Sequence, residues 1–373
     1  MSRFNDILSM RQAIDLARLA WGETHPNPMV GAVIVDNGEI VAGGYHAQAG
    51  AAHAEIDALA KLNSQTLSPN AELFVTLEPC STIGRTPPCT EAIIRSGIKR
   101  VVIGATDPNP KHAGRAVGIL QEAGITVETG LLADECADLN LIFNHAIVEE
   151  SPLIAAKIAS TLDGKIASRS GHSQWITGEA ARAEVHRLRR YFPAIAIGSA
   201  TAIADNPSLT CRLDKSAVWC PRRFIFDRSL SLANHLELKI FTDDHADKTT
   251  IVTTANPPAD NRKKLEDAGI DYWICGDDSG QNFFDEFKCQ CYSRNITGVF
   301  VEGGSRILSE LFTQRHVNYL YAFRAPKILG DEQALPIAQG MQHDKMDTAV
   351  YLEQVKHATF GNDQLMRGHV KYG

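Results

Sequence analysis

Residues 73–105 read LFVTLEPCSTIGRTPPCTEAIIRSGIKRVVIGA, and their reading decides the class of the N-terminal half. Residues 73–77 are a short run of large and β-branched apolar side chains, the pattern of a buried strand. Residues 90–96 carry helical spacing and stop at Gly97, and residues 100–104 form a second apolar run. Strand, helix and strand in about 30 residues make the repeating unit of a sheet covered by helices. Two cysteines punctuate this unit, Cys80 just past the first strand and Cys89 just before the helix.

Working outward, residues 30–35 and 40–45 predict two strands joined at Asp36-Asn37-Gly38, a hairpin signal. Residues 53–62 predict a helix, and residues 114–123 another that ends at Gly124. The chain opens on a helix in which Ile7, Met10, Ile14, Ala17 and Leu19 recur at helical spacing among charges, which is not the pattern of a secretion signal. A helix over residues 134–150 runs into Ser151-Pro152, where proline stops it. That junction divides the chain into residues 1–150 and 151–373. Beyond it, strands are expected at 153–159, 194–198, 223–227, 250–254, 298–302 and 317–324. Helices at 179–191, 260–268 and 305–314 lie between them, and two strands fall within 349–372. Both halves are α/β.

The 373 residues suit two domains, each able to bury its own core. Hydrophobic residues at 44% and charged residues at 22% fit a globular chain. No apolar run approaches the roughly 20 residues that span a bilayer. The net charge of −7 and the lack of a Lys/Arg block weigh against a nucleic-acid partner, since such affinity rests on neutralising phosphates. We therefore expect a cytoplasmic homo-oligomer acting on small molecules, with no membrane partner. The eight cysteines (80, 89, 136, 211, 220, 275, 289 and 291) are irregularly spaced and read as thiols, not as a disulfide framework.

His53-Ala54-Glu55, then Glu78-Pro79-Cys80, then Cys89 form a constellation with a chemical meaning. One His and two Cys supply three zinc ligands and leave the fourth tetrahedral position to water, whose pKa zinc lowers towards neutrality. Glu55, two residues past the His, is placed to move a proton rather than to bind metal. Cys89, at the start of a helix, gains thiolate character from the positive end of the helix dipole. A structural zinc site would need a fourth protein ligand, and the neighbourhood offers none. The pattern is that of zinc deaminases, which replace an amino group on a pyrimidine or purine by oxygen.

Nucleoside deaminases place two residues between the cysteines, whereas this chain has eight. The longer loop is similar to that of the bifunctional deaminase–reductases of riboflavin biosynthesis. So are His25-Pro26-Asn27-Pro28-Met29-Val30-Gly31, the stretch from His46 to Glu55 with its Ala49-Gly50, and Asp107-Pro108-Asn109-Pro110. This resemblance extends over essentially the whole chain. It implies a cytidine-deaminase-like three-layer α/β/α domain over 1–150 with one zinc, and a dihydrofolate-reductase-like α/β domain over 151–373 that uses NADPH. The activities it implies are deamination of 2,5-diamino-6-(ribosylamino)-4(3H)-pyrimidinone 5′-phosphate, then reduction of the ribosyl group to ribityl. By the same resemblance Asn27, His46, Arg85, Asp107 and Asn109 hold the substrate of the first step. The chain departs from the family at Thr82, where His is usual, at Ala116, where Gly is common, and at Arg228, where Ser is frequent.

Residues 153–373 contain no G-x-G-x-x-G fingerprint and no Cys/His cluster. Val301-Glu302-Gly303-Gly304-Ser305 ends a strand and opens a helix, a turn that admits a phosphate or simply caps the helix. Lys157-Ile-Ala-Ser-Thr-Leu-Asp-Gly164-Lys165, Ser173-Gln174-Trp175-Ile176-Thr177 and Asp205-Asn206-Pro207-Ser208-Leu209-Thr210 resemble the family's reductase half. The resemblance implies an NADPH site lined by Ala159, Trp175, Thr201 and Asp205 with Gly304, Ser305, Arg306, Ile307, Leu308, Ser309 and Glu310. It implies substrate contacts from Ser173, Arg189, Leu209, Arg212 and Glu302, the arginines being suited to a phosphate. Hydride delivery to a sugar carbon needs an acid, for which Lys157 and Asp205 are the candidates. The plain alternatives are a turn role for Asp205 and a core role for Trp175. Two rival functions are weighed: the long cysteine loop, acidic balance and second domain argue against a deaminase acting on nucleic-acid bases, and intact His53, Glu55, Cys80 and Cys89 argue against a pyrimidine-ribotide binding module without activity.

Overall fold

The computed structural model describes residues 3–63, 66–82, 87–110, 112–213, 218–277 and 282–373. By its internal contacts the chain divides into two units, Met1–Glu150 and Ser151–Gly373.

In the first unit Asn37 and Gly38 take positive φ (48° and 87°) and fold β1 (Gly31–Asp36) back onto β2 (Glu39–Tyr45). β1 also pairs antiparallel with β3 (Glu72–Leu77), while β3, β4 (Arg100–Ala105) and β5 (Thr126–Thr129) run parallel. The sheet order is β2-β1-β3-β4-β5. Every residue of β1 and β3 is buried, so both sheet faces must be covered. Helix α1 (Arg3–Arg18) covers one face with Met10, Ile14 and Ala17; Leu19 lies past its end and is exposed. On the other face Ala32, Ile34, Leu73, Val75, Val101 and Ile103 pack against three helices: α2 (Ala54–Ala60), α3 (Cys89–Ser96) and α4 (Arg115–Glu122). Helix α2 lies directly on β2, because a Cβ on Gly44 would sit 2.3 Å from the Ala58 nitrogen. Only glycine allows that approach.

The single helix expected over 134–150 is two, α5 (Ala133–Leu139) and α6 (Leu141–Glu149), broken at Asn140. The Asn140 amide is buried and holds both main-chain groups of Met29: it accepts from the Met29 N–H (2.7 Å) and donates to its carbonyl (2.9 Å). Two buried hydrogen bonds, worth about 0.5–1.5 kcal/mol each, outweigh one interrupted turn.

The second unit is built on a nine-stranded sheet. In chain order its elements are β6 (Leu153–Ser160), β7 (Lys165–Ala167), α7 (Glu179–Tyr191), β8 (Ala194–Gly198), α8 (Ser199–Asp205), β9 (Arg222–Phe226) and α9 (Lys239–Thr242). There follow β10 (Thr249–Thr253), α10 (Ala259–Asp267), β11 (Asp271–Ile274), α11 (Phe283–Ser293), β12 (Gly298–Val301) and α12 (Ser305–Thr313). The last are β13 (Tyr319–Arg324), β14 (Leu335–Pro336), β15 (Val350–Phe360) and β16 (Asp363–Tyr372). The order is β11-β10-β9-β8-β12-β6-β13-β16-β15, with β7 and β14 paired separately. Neighbours from β11 to β13 are parallel, and the β15–β16 hairpin adds antiparallel. Helices α8, α9 and α11 and strands β7, β11 and β14 have no counterpart among the elements expected from the sequence. Aromatic and Cys residues have only moderate helix propensity, and α11 is held instead by burial. Its Phe287 ring meets Phe224 and Phe226 edge to face at 5.0 and 5.1 Å.

Parallel strands put their carboxyl ends on one edge of the sheet, where open α/β sheets bind ligands. On that edge α8 starts directly after β8, and α12 starts four residues after the neighbouring strand β12 ends. Among the described residues no helix is long and apolar enough to cross a membrane.

Candidate active sites

Three segments meet at the sheet edge of the first unit. Asp57 anchors α2 by accepting from the Tyr45 N–H (3.0 Å) and from Lys61 Nζ (2.7 Å). This places His53, the residue before α2, and Glu55 within its first turn. Glu78, Pro79 and Cys80 follow β3, and Cys89 is the first residue of α3. The candidate ligand atoms of His53, Cys80 and Cys89 all lie within 4.8 Å of one another. His53 Nδ1 is 3.2 Å from Cys89 Sγ and 3.5 Å from Cys80 Sγ, and the Cys89 N–H donates to Cys80 Sγ at 3.2 Å.

The electrostatics show what this cluster is built for. The Cys80 thiol is held down at about 4, first by a hydrogen bond from Cys89 and then by His53 and the Cys89 N–H, against the opposing effect of burial. Cys89 is pushed up, because it keeps the proton shared with Cys80 and because it is buried. His53 is raised, chiefly by its hydrogen bond to Cys80. Three donors therefore share protons at one point, where a divalent cation would replace them. A tetrahedron with ordinary zinc–sulfur and zinc–nitrogen bonds has edges of about 3.5–3.8 Å, so the donor set fits zinc. Glu55 is buried beside it, and burial pushes its carboxyl up to about 7.

His46 sits at the rim of the cluster, its ring edge-on to His53 at 5.5 Å. Its Nδ1 faces the Ala52 carbonyl (3.0 Å), which can only accept, so Nδ1 carries the proton. Nε2 then accepts from Asn27 Nδ2 at 3.2 Å. Burial, followed by the neighbouring His53, lowers the His46 pKa and keeps the ring neutral. Asn140, through Met29, fixes the segment that carries Asn27. Asp107 and Asn109 follow β4 and are half-buried, with the Asn109 N–H donating to Asp107 Oδ1 (2.9 Å). Burial raises the Asp107 pKa, and Cys80 is among the charges it feels. Thr82 is exposed, and Arg85 lies outside the described residues. Asp57 and Asn140 support this site without any motif to announce them; a polar residue inside an apolar helical run was the available signal for Asn140.

In the second unit Lys157 and Ala159 share a face of β6, two residues apart. Glu302, just past β12, is held below its usual pKa: burial opposes the charge, but Arg189 and Lys157 outweigh it. Arg189 forks onto Glu302 at 2.6 and 3.1 Å and donates to the Thr210 carbonyl at 2.9 Å. Lys157 Nζ lies 3.8 Å from Glu302, and burial lowers its pKa. The guanidinium of Arg189 thus spends three of its five N–H donors on Glu302 and the Thr210 carbonyl. Leu209 is buried in the core with Ile195 and Ile225, so its side chain is not available to a ligand. Ser173 is half-buried and Arg212 exposed. Asp205 ends α8, exposed, with no side-chain hydrogen bond or ion pair among the described residues.

The turn into α12 carries a specific vacancy in its hydrogen bonding. Ser305 Oγ is buried and has no partner among the described residues, although it stands at the first residue of the helix. A Cβ on Gly304 would meet only Thr201 Oγ1, at 3.4 Å, whereas one on Gly303 would sit 1.9 Å from Ile307 Cγ2. Gly303 is therefore required by the fold, and Gly304 leaves the turn open beside Thr201. An orphaned hydroxyl and free helix N–H groups suit a phosphate of a dinucleotide, so the residues fit NADPH. Of the later residues, Ile307 and Leu308 are in the core, Arg306 is exposed, and Ser309 bonds to the Ser305 carbonyl and the Gln339 N–H. Glu310 pairs with Arg228, which also lies over the Phe283 ring. Trp175 is 63% exposed, with Arg182 stacked on it at 4.5 Å, so it is not a core residue. All eight cysteines are free thiols.

Two family models match the chain. The cytidine and deoxycytidylate deaminase zinc-binding region matches residues 5–105, and the RibD C-terminal domain matches residues 152–366. The riboflavin biosynthesis protein RibD of Actinobacillus pleuropneumoniae is 38% identical, covering 97% of this chain and 94% of that protein. That of Aquifex aeolicus is 41% identical, covering 86% and 87%. The solved structure of Acinetobacter baumannii RibD aligns with a TM-score of 0.81 at 32% identity over 99% of each chain. A Thermotoga maritima diaminohydroxyphosphoribosylaminopyrimidine deaminase/5-amino-6-(5-phosphoribosylamino)uracil reductase aligns with a TM-score of 0.82 at 33% identity, again over 99% of each.

Fold and site together define a zinc deaminase of the cytidine-deaminase class joined to a dihydrofolate-reductase-like reductase. The chain belongs to the RibD family of riboflavin biosynthesis. It is a bifunctional enzyme, a hydrolase in one half and an oxidoreductase in the other, with zinc and NADPH as its cofactors.

Proposed function

We propose that the first unit deaminates 2,5-diamino-6-(ribosylamino)-4(3H)-pyrimidinone 5′-phosphate, and that the second reduces the ribosyl group of the product to ribityl. The observation that carries the reading is the convergence of His53, Cys80 and Cys89 beside a buried, raised Glu55.

In deamination, water replaces the amino group and ammonia leaves. His53, Cys80 and Cys89 hold the zinc, which when bound makes a water molecule acidic enough to act as nucleophile near neutral pH. A carboxyl raised to about 7 can both accept and return a proton at that pH, so Glu55 takes the proton of the attacking water and delivers it to the departing nitrogen. Neutral His46 and its partner Asn27 present hydrogen-bonding edges to the ring, with Asp107 and Asn109 on the facing loop. Arg85 completes the phosphate contact by family position.

For the reduction, NADPH when bound would be the source of the hydride that C1′ of the sugar accepts. The turn at Gly304 and Ser305, with Thr201, would hold the coenzyme's phosphates, and Ala159, Trp175 and Asp205 would line its site. Arg306, Ile307, Leu308, Ser309 and Glu310 shape the helix behind that turn, with Ile307 and Leu308 acting through backbone alone. Lys157 donates the proton that ring opening requires, its depressed pKa making it a better acid than an exposed lysine. Glu302 orients it, and Ser173, Arg189 and Arg212 frame the ribotide, with Leu209 contributing through its backbone. The enzyme works in the cytoplasm as an oligomer of identical chains on small molecules, without nucleic acid; its net charge of −7 supports the last point.

Incubating the purified chain with the diaminopyrimidinone ribotide and NADPH tests the whole reading. Ammonia release followed by stoichiometric loss of NADPH absorbance is expected. Ammonia release from single-stranded oligonucleotides, and none from the ribotide, would overturn it.

A further inference from the structure

Glu78 stands between the last residue of β3 and the Pro79-Cys80 pair. Its side chain is only 5% exposed, yet it makes no ion pair among the described residues. It is not one of the three converging metal donors. Instead its carboxylate accepts three backbone N–H groups from a distant segment. Asp107 (3.2 Å) and Gly114 (3.0 Å) donate to Oε2, and Ala116 (3.0 Å) donates to Oε1. These donors sit at the two ends of one loop, the loop that carries Asp107 and Asn109.

Helix α4 starts with Gly114 at its N-cap, a residue with no side chain to satisfy the first N–H groups, and no side-chain cap forms there. Glu78, 38 residues earlier in the chain, supplies that cap, and its negative charge meets the positive end of the helix. Inside the loop the Asn109 N–H bonds to Asp107 Oδ1, and the His112 and Ala113 N–H groups bond to the Asn109 carbonyl. Each is a short-range bond that shapes the loop without attaching it to the sheet. The Glu78 N–H in turn donates to the Ala105 carbonyl at the end of β4 (2.9 Å).

We infer that Glu78 is a positioning residue for deamination: one buried carboxylate ties the Asp107–Asn109 loop to the same strand end that presents Cys80. The metal centre and the loop facing it are thereby held in one register. An ordinary helix cap would act within its own segment, whereas this carboxylate joins two segments at the site. The inference rests on the reading that this loop contacts the pyrimidine ribotide, and the test separates the two.

Glu78→Gln keeps the shape but turns an NH₂ towards N–H donors that need an acceptor. With the ribotide as substrate, its KM for deamination is expected to rise at least tenfold, with kcat changed by less than threefold. Zinc content and reduction of pre-deaminated ribotide should be unchanged. Amide exchange at Asp107, Gly114 and Ala116 should accelerate. Asn109→Ala is measured beside it. If Asn109→Ala raises KM while Glu78→Gln leaves it within twofold, the positioning role is wrong and the loop reading stands. If neither Asn109→Ala nor Asp107→Asn moves KM, the loop reading fails and takes the inference with it. Loss of zinc from Glu78→Gln would also overturn the inference, by showing action through Cys80. Should Glu78→Gln not fold, Glu78→Asp, one methylene shorter, is read by the same KM, zinc and exchange criteria.

Discussion

The two units organise buried charge in opposite ways. At the deaminase edge, His53, Cys80 and Cys89 share protons with one another and with the buried Glu55 carboxyl, a state completed by a metal. At the reductase edge, Lys157 and Arg189 both pair with one buried carboxylate, Glu302, before any ligand arrives, leaving an excess of positive charge. The first arrangement is poised for a cation. The second pairs its buried charges and, among the described residues, leaves a neutral hydroxyl, Ser305 Oγ, unsatisfied at a helix start. The difference teaches where each cofactor's binding energy acts. In the proposed reading zinc supplies positive charge in one unit, and in the other a phosphate meets a helix start and an unpaired hydroxyl.

The largest expected effect breaks the first arrangement alone. Cys89→Ala removes one of three donors, so zinc content and ammonia release should fall to background together. Reduction of pre-deaminated ribotide should persist at its original rate. Full deamination by metal-stripped protein would contradict the centre described here.

Glu55→Gln should retain zinc, since the residue is no ligand, while deamination drops by about 10²–10⁴, the usual contribution of a positioned acid–base group. Metal analysis beside an ammonia assay checks it. A parallel fall in reduction would show that the two sites are not separate.

Glu302→Ala sharpens the other side of the comparison. It leaves Arg189 and Lys157 buried without their counter-charge, which costs about 3–5 kcal/mol. In calorimetry the transition of the second unit should move down by roughly 6–20 °C. Zinc content should not change. A shift under about 2 °C would mean the charges are not sealed from water.

The smallest effect belongs to the coenzyme turn. A side chain on Gly304 meets only Thr201 at 3.4 Å, so Gly304→Val should fold normally. It fills the space beside Ser305 and should raise the KM for NADPH about tenfold, near 1.4 kcal/mol. The unreduced, deaminated ribotide should accumulate, two hydrogens lighter by mass. Unchanged NADPH kinetics would reduce the turn to a helix cap.

Much of this was legible because the deaminase ligands sit at element ends. Cys80 follows a strand, Cys89 opens a helix, and short spacing fixes where such residues point. Turn chemistry was equally readable at Asn37-Gly38 and at Gly97, where positive φ is required. The break at Asn140 was not, because an asparagine in an apolar helical run gives no hint that Met29, far back in the chain, needs both its main-chain groups satisfied. The occupation of Arg189 by Glu302 was hidden for the same reason.

By itself, then, the sequence determined the α/β class, the convergence of His53, Cys80 and Cys89 as candidate metal donors, and, through its resemblance, both activities. These depend on local propensity, on turn stereochemistry and on donor types whose chemistry is the same in any fold. Tertiary structure alone decided which polar groups were already partnered: that Glu78 holds the Asp107 loop, that Leu209 is core and Trp175 is not, and that Gly303 rather than Gly304 is demanded by packing. Hydrogen bonds and burial join residues far apart along the chain, and their satisfaction is a property of the folded arrangement.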